Sequence, residues 1–250
     1  MVTQIQSTNQ TEIVYPDCDG EPMSDNTKQF RWIVTIKEGL EWLFKNDENV
    51  FIAGDLLWYP VEGNNVIRAA PDAMVIMGRP KGDRGSYQQW KEGNIAPQVV
   101  FEVRSPGNTQ TGLDKKLVFY DRYGVEEYYL YDPDKGDLSG WLRREGRLDV
   151  IEEMLDWVSP RLGIKFNMLG TELQLYGPNG EKFATYVELA TSREQEKLAK
   201  EQAQQELEQS QQELEQSQQE LEQSQQELEQ QKVRSQQLAA KLRELGIDPN

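Results

Sequence analysis

The sequence predicts an α/β protein: a mixed sheet flanked by helices, then a β-rich extension, then a long C-terminal helix. Three observations carry this. Short apolar runs of strand length recur at Ala73–Ile76, Val99–Val103 and Glu127–Tyr131. Helical patterns near residues 28–45 and 113–123 alternate with those runs. From Gln205 a seven-residue unit repeats almost without change.

Residues 1–12 are rich in Gln, Thr, Asn and Ser and are expected to be disordered. Residues 13–190 read as the main domain, with 141–190 as the β-rich extension. Asp19-Gly20-Glu21-Pro22 is a turn signal. Ser24, Asp25, Asn26 and Thr27 are candidate N-caps for a helix from about Lys28 to Lys45. Its Ile33, Ile36, Leu40, Leu43 and Phe44 share one face, and Trp32 and Trp42 are expected to help cover the sheet. Val50–Tyr59 reads as a strand and Glu62-Gly63-Asn64-Asn65 as a turn into Val66-Ile67, a hairpin leading to the strand after Asp72. Gly54-Asp55 reads equally as a bend or as a place where Asp55 lines a site.

Gly78–Pro97 is a long polar connection in which Tyr87 and Trp90 are expected to act as anchors. Ser105-Pro106-Gly107-Asn108 turns the chain into a helix carrying Lys116 and ending at Gly124. The extension holds strand-like pieces at 147–151, 165–166, 173–176 and 183–186. In the tail, 191–250, Leu207, Leu214, Leu221 and Leu228 form one stripe at a spacing of seven, which favours a left-handed supercoil. The other seam position holds Gln or Ser, a poor filling for a coiled coil. A long solvated helix and a homodimer through it are the expectation.

Composition removes whole classes of chemistry. There is no histidine, so Ser-His-Asp triads and His-ligated zinc are excluded. The single cysteine, Cys18, excludes an internal disulfide or a thiolate cluster. No apolar run is long enough to span a membrane, and no secretory leader is visible, so a cytoplasmic protein is expected. The net charge is −16. Thirteen acids and seven bases from Thr191 onward leave −10 for the rest, which argues against a non-specific nucleic-acid coat. Arg68, Arg79, Lys81, Arg84 and Lys91 are candidates for a local basic lip.

Carboxylates, lysine and tyrosine remain to carry chemistry. Asp72 and Glu102 each adjoin an apolar run, where a carboxylate is costly unless paired or bound to a metal. Strand alternation puts Val100, Glu102 and Arg104 on one face and Val99, Phe101 and Val103 on the other. Lys116 and Tyr120 lie one helical turn apart. Two strand-borne acids with a lysine suit a Mg²⁺ site for phosphodiester cleavage. The structural alternative is that Asp72 merely opens a strand and Glu102 pairs with Arg104.

The order Pro71-Asp72, then Glu102-Val103-Arg104-Ser105-Pro106, then Lys116 with Tyr120, then Tyr123 through Pro133, resembles the Uma-type restriction endonucleases. These are bacterial members of the PD-(D/E)xK nuclease superfamily. The resemblance covers roughly residues 15–185. It implies a restriction-endonuclease-like fold, DNA as substrate, and Mg²⁺ or Mn²⁺ held by Asp72 and Glu102. The superfamily's lysine lies two residues after the second acid. Arg104 stands there and stays protonated. Lys116 is the matching position on the following helix, with Lys115 its neighbour. A carbonyl near Val103 is a further candidate ligand, Arg104 a candidate phosphate contact, and Glu38 or Glu41 a candidate accessory acid. The competing reading is a nuclease fold without catalysis that serves as a protein-interaction module through its tail.

Overall fold

The computed structural model describes residues 13–18 and 26–244. The segment 1–12, the turn at 19–22, the caps Ser24 and Asp25 and the last six residues lie outside them. The chain divides into two compact units, one ending at Thr185 and one beginning at Tyr186.

In the first unit, helix α1 (Thr27–Leu43) opens at Asn26. The Asn26 side chain accepts from the N–H groups of Lys28 (3.0 Å) and Gln29 (2.8 Å). Such a cap contributes about 1 kcal/mol. Six strands form the main sheet in the order β1-β3-β5-β6-β7-β8. They are β1 (Val50–Ala53), β3 (Ala73–Met77), β5 (Val99–Val103), β6 (Glu127–Asp132), β7 (Asp137–Arg144) and β8 (Arg147–Val150). All neighbours are antiparallel except β5 and β6. Those two are joined by the crossover helix α2 (Gln110–Arg122), as a parallel pair requires.

Alternation sends side chains to two cores. One face packs Val99, Phe101 and Val103 against Ile33, Ile36 and Leu40 of α1. The hairpin β9 (Lys165–Leu169) and β10 (Glu172–Tyr176) closes this face with Phe166, Leu173 and Leu175. The other face packs Met74, Val100 and Tyr128 against Tyr120 of α2. Trp58 on β2 (Trp58–Tyr59) and Tyr87 on β4 (Tyr87–Gln88) join it. Each large apolar side chain so buried contributes about 1.5–3 kcal/mol.

Four expectations are corrected here. The hairpin arm at Val66-Ile67 is absent: β1 ends at Ala53 and pairs directly with β3, and Val66 is exposed. The chain leaves the sheet at Asp55, whose φ of 48° is left-handed, and Asn64 ties the N–H groups of Val66 and Ile67 into a turn. Trp42 is exposed while Trp32 is buried, because ten helical positions amount to about 80° short of whole turns. Residues 183–186 are not a strand. Phe183 lays its ring on Gly39 of α1, where a Cβ would collide, and Tyr186 already begins a helix.

The basic lip is the fourth, in three of its five candidates. Arg79 (2.9 Å) and Arg84 (2.7 Å) both grip Glu92, and Lys81 donates to the carbonyls of Phe44 and Lys45. These cations staple the 78–97 connection. Tyr87 anchors it from inside, donating to the Ile95 carbonyl at 2.7 Å, and Trp90 packs on Tyr15.

The second unit is the helix α3 (Tyr186–Glu244), 59 residues long with no buried residue. Leu207, Leu214, Leu221 and Leu228 are all more than half exposed. No helix among the described residues is long and apolar enough to cross a membrane.

Candidate active site

The site is built where β3 begins and β5 ends. Ala73 pairs with Phe101 and Met74 with Val100. Asp72 is the residue just before β3, and Glu102 the one just after Phe101 on β5. Both acids therefore fall on the α2 face, with Met74 and Val100. Asp72 is fixed by the N–H of Val103, which donates to Oδ2 at 2.6 Å.

Helix α2 supplies the rest. Thr109 caps it by accepting from the Gly112 N–H at 3.1 Å, and this start sets which residues face the sheet. Lys116 and Tyr120, one turn apart, both reach Glu102. Lys116 Nζ lies 2.7 Å from Oε2, and the Tyr120 hydroxyl donates to Oε1. Lys116 also approaches the Ala70 carbonyl at 3.5 Å. Glu102 is 4 % exposed, so this ion pair and hydrogen bond offset the cost of burying its charge.

The electrostatics follow from that packing. Burial, the largest influence on Lys116, pulls its pKa down. The charges of Glu102 and Asp72, the Glu102 hydrogen bond and the charge of Asp55 outweigh burial and raise it. Lys116 is thus held as an ammonium. Burial pushes the Tyr120 hydroxyl well above its usual value, and the Glu102 charge adds to this, so Tyr120 stays a donor.

Other candidates lie elsewhere. Arg104 does not pair with Glu102; its Nε is 3.7 Å from Asp132. Lys115 is exposed on α2. Glu38 and Glu41 both ion-pair with Lys37, at 3.0 and 2.9 Å. The α1 side chain that does reach the end of β5 is Gln29, which the sequence reading missed. It is 4 % exposed and donates from Nε2 to the Val103 carbonyl at 2.9 Å. Its Oε1 is buried with no hydrogen-bond partner among the described residues. A polar residue among Trp32, Ile33 and Ile36 on the buried stripe was the available signal.

The donor set fits a hard divalent cation. Two carboxylates share a face, and a carbonyl oxygen keeps a second lone pair beside its Gln29 bond. Among the described residues no three His, Cys, Asp or Glu side chains converge as a complete ligand cluster. A cation held here would need waters to complete its shell, which suits Mg²⁺.

A mixed sheet with a parallel β5-α2-β6 crossover, carrying two acids at adjoining strand ends and a lysine on the crossover helix, defines a restriction-endonuclease-like α/β protein. The chain belongs to the Uma2 family, described as "Putative restriction endonuclease", whose model matches residues 12–169. Among solved structures it is similar to a crystal structure of a "putative nuclease belonging to DUF820" from Anabaena variabilis. That likeness covers 56% of this chain and 74% of the other, at 18% identity and a TM-score of 0.42. No curated protein matches the chain.

Proposed function

We propose that the chain is a Mg²⁺- or Mn²⁺-dependent endonuclease that hydrolyses DNA phosphodiester bonds. The observation that carries this is the approach of Lys116 to Glu102 at 2.7 Å beside Asp72, whose carboxylate is oriented by the Val103 N–H. Family membership supports the nuclease class. Asp72 and Glu102 hold the cation, with the Val103 carbonyl within reach. The bound ion lowers the pKa of a coordinated water and offsets charge on the phosphate. Lys116, as an ammonium, orients the attacking water and balances charge developing on the phosphate oxygens. Tyr120 fixes the rotamer of Glu102. The buried aromatic wall of Trp58, Tyr120 and Tyr128 behind Glu102 keeps bulk water from that side.

Calorimetric titration with Mn²⁺ tests the ligand assignment. Wild type is expected to bind one ion per chain. Glu102→Gln keeps an acceptor for Tyr120 and is expected to bind at least about ten-fold more weakly. Equal affinity in the two proteins removes Glu102 from the site.

The tail supports a separate part of the reading, in line with residues 191–250 acting as an appendage to the main domain. A leucine stripe at a spacing of seven, exposed from Leu207 to Leu228 within a 59-residue helix, suits self-association through a left-handed supercoil. Light scattering is expected to give a dimer for the full chain and a monomer for residues 1–189. The same subunit number for both overturns the homodimer.

A further inference from the structure

Glu102 is engaged at both oxygens, by Lys116 and by Tyr120. A divalent cation taking the same carboxylate meets an ammonium 2.7 Å from Oε2. Two positive charges on one carboxylate repel. Tyr120 is neutral and can stay; Lys116 has to yield. Asp72 does not relieve it, because the cation takes that carboxylate too.

Among the described residues, Asp55 is a further acid whose charge raises the Lys116 pKa. Its place is structural. Strand β1 stops at Ala53, and the left-handed φ of 48° turns Asp55 out of the sheet. The Asp55 N–H donates to the carbonyl of Pro71 at 3.1 Å, which docks the bend against the residue before Asp72. Gly54 lies against the Asp72 carbonyl in the same turn. The backbone of the exposed Asp55 is therefore pinned at the edge of the site, just past the end of β1, the strand next to β3 in the sheet order. The groups acting on Lys116 are Glu102, Asp72 and Asp55, with the Ala70 carbonyl at 3.5 Å.

We propose that Asp55 is the second partner of Lys116: when a divalent cation occupies Asp72 and Glu102, the ammonium passes from Glu102 toward Asp55 and stays beside the reacting phosphate. This rests on the cation site described above. Asp55 is a positioning residue here, since it acts through Lys116 and touches neither cation nor substrate. Its role also accounts for an acid at a left-handed bend, a conformation that Asn and Asp tolerate better than other side chains.

Asn at position 55 keeps the bend and removes the charge, so Asp55→Asn suits the test. Mn²⁺ affinity is measured by calorimetry in four full-length proteins: wild type, Asp55→Asn, Lys116→Met and the double variant. Asp55→Asn is expected to weaken binding about five-fold, the scale of one exposed ion pair. In the Lys116→Met background the same change is expected to alter affinity by less than about two-fold, because no ammonium is left to rehouse. Equal affinity in wild type and Asp55→Asn overturns the proposal. So does an undiminished loss in the Lys116→Met background, which would make Asp55 a partner of the cation's own waters. Absence of Mn²⁺ binding by the wild type is a different result, and removes the cation site itself.

Discussion

Lys116→Met is expected to slow DNA cleavage by about 10²–10⁴-fold, the range for a positioned group acting on the attacking water. It is expected to bind Mn²⁺ no more weakly than wild type. The two effects run in opposite directions for one physical reason. In the metal-free protein the ammonium occupies Glu102 Oε2 at 2.7 Å and competes with a cation for that carboxylate. Methionine fills the aliphatic path of the lysine without the charge, so the competitor is gone while the water loses its partner. The metal-free variant leaves Glu102 buried with Tyr120 as its remaining partner among the contacts described, and should melt below wild type. Saturating Mn²⁺ should recover more melting temperature than it adds to wild type. Cleavage rate, calorimetric affinity and melting curves together check this. Retained cleavage would remove Lys116 from the chemistry, and lost Mn²⁺ binding would make it a support of the ligands instead.

Glu127→Ala is expected to destabilise the fold by roughly 3 kcal/mol or more, because each buried donor stripped of its acceptor costs about 1–3 kcal/mol. Glu127 opens β6, is fully buried and accepts from the Tyr129 hydroxyl (2.9 Å), the Ser159 hydroxyl (2.5 Å) and the Arg161 N–H (2.7 Å). Trp157 in turn donates to Tyr129 at 3.1 Å. The carboxylate thus joins the main sheet to the 157–164 segment that leads into β9. Burial, the largest influence, raises its pKa against the hydrogen bonds of Ser159, Tyr129 and Arg161. The folded protein therefore keeps this proton where the unfolded chain, near the usual 4.5, has released it. The stability tied to the proton is fully present below that value and is lost as pH rises through the higher folded value. Glu127→Gln should cost less than alanine, because Oε1 still accepts from the Arg161 N–H and the amide fills the carboxylate's space. It should also flatten that pH slope. Urea unfolding of the three proteins across acidic to neutral pH measures both effects. Alanine as stable as wild type, or a Gln variant with an unchanged slope, would show that the network carries little.

Glu127 also marks the limit of one kind of sequence argument. It adjoins an apolar run just as Glu102 does, yet it faces the β9–β10 side among hydroxyl donors. An acid beside a strand is buried in both cases. Which face it takes, and what waits there, separates a structural carboxylate from a candidate ligand. Alternation along Val99–Val103 was legible, because a strand turns each successive side chain by half a turn. The helix spacing of Lys116 and Tyr120 was legible for the same kind of local reason. Gln29 was not, since its partner is 74 residues away. Nor was the fate of Arg79, Lys81 and Arg84, which read as part of a basic lip in sequence and prove to be staples.

The amino-acid sequence by itself determined the alternation of strands and helices, the family pattern from Pro71 to Pro133, the exclusion of histidine and thiolate chemistry, and the seven-residue period of the tail. These depend on local periodicity and composition, which survive without any distant contact. Only the tertiary fold decides that β1 pairs with β3 across the excursion at 54–72, that the Asp72 carboxylate accepts from the Val103 N–H beside Glu102, and that Lys116 meets Glu102 while Arg104 turns to Asp132. Each of those is a choice of partner among residues far apart in the chain. Such choices are made by register and core packing together, and no single stretch of sequence contains both sides of the contact.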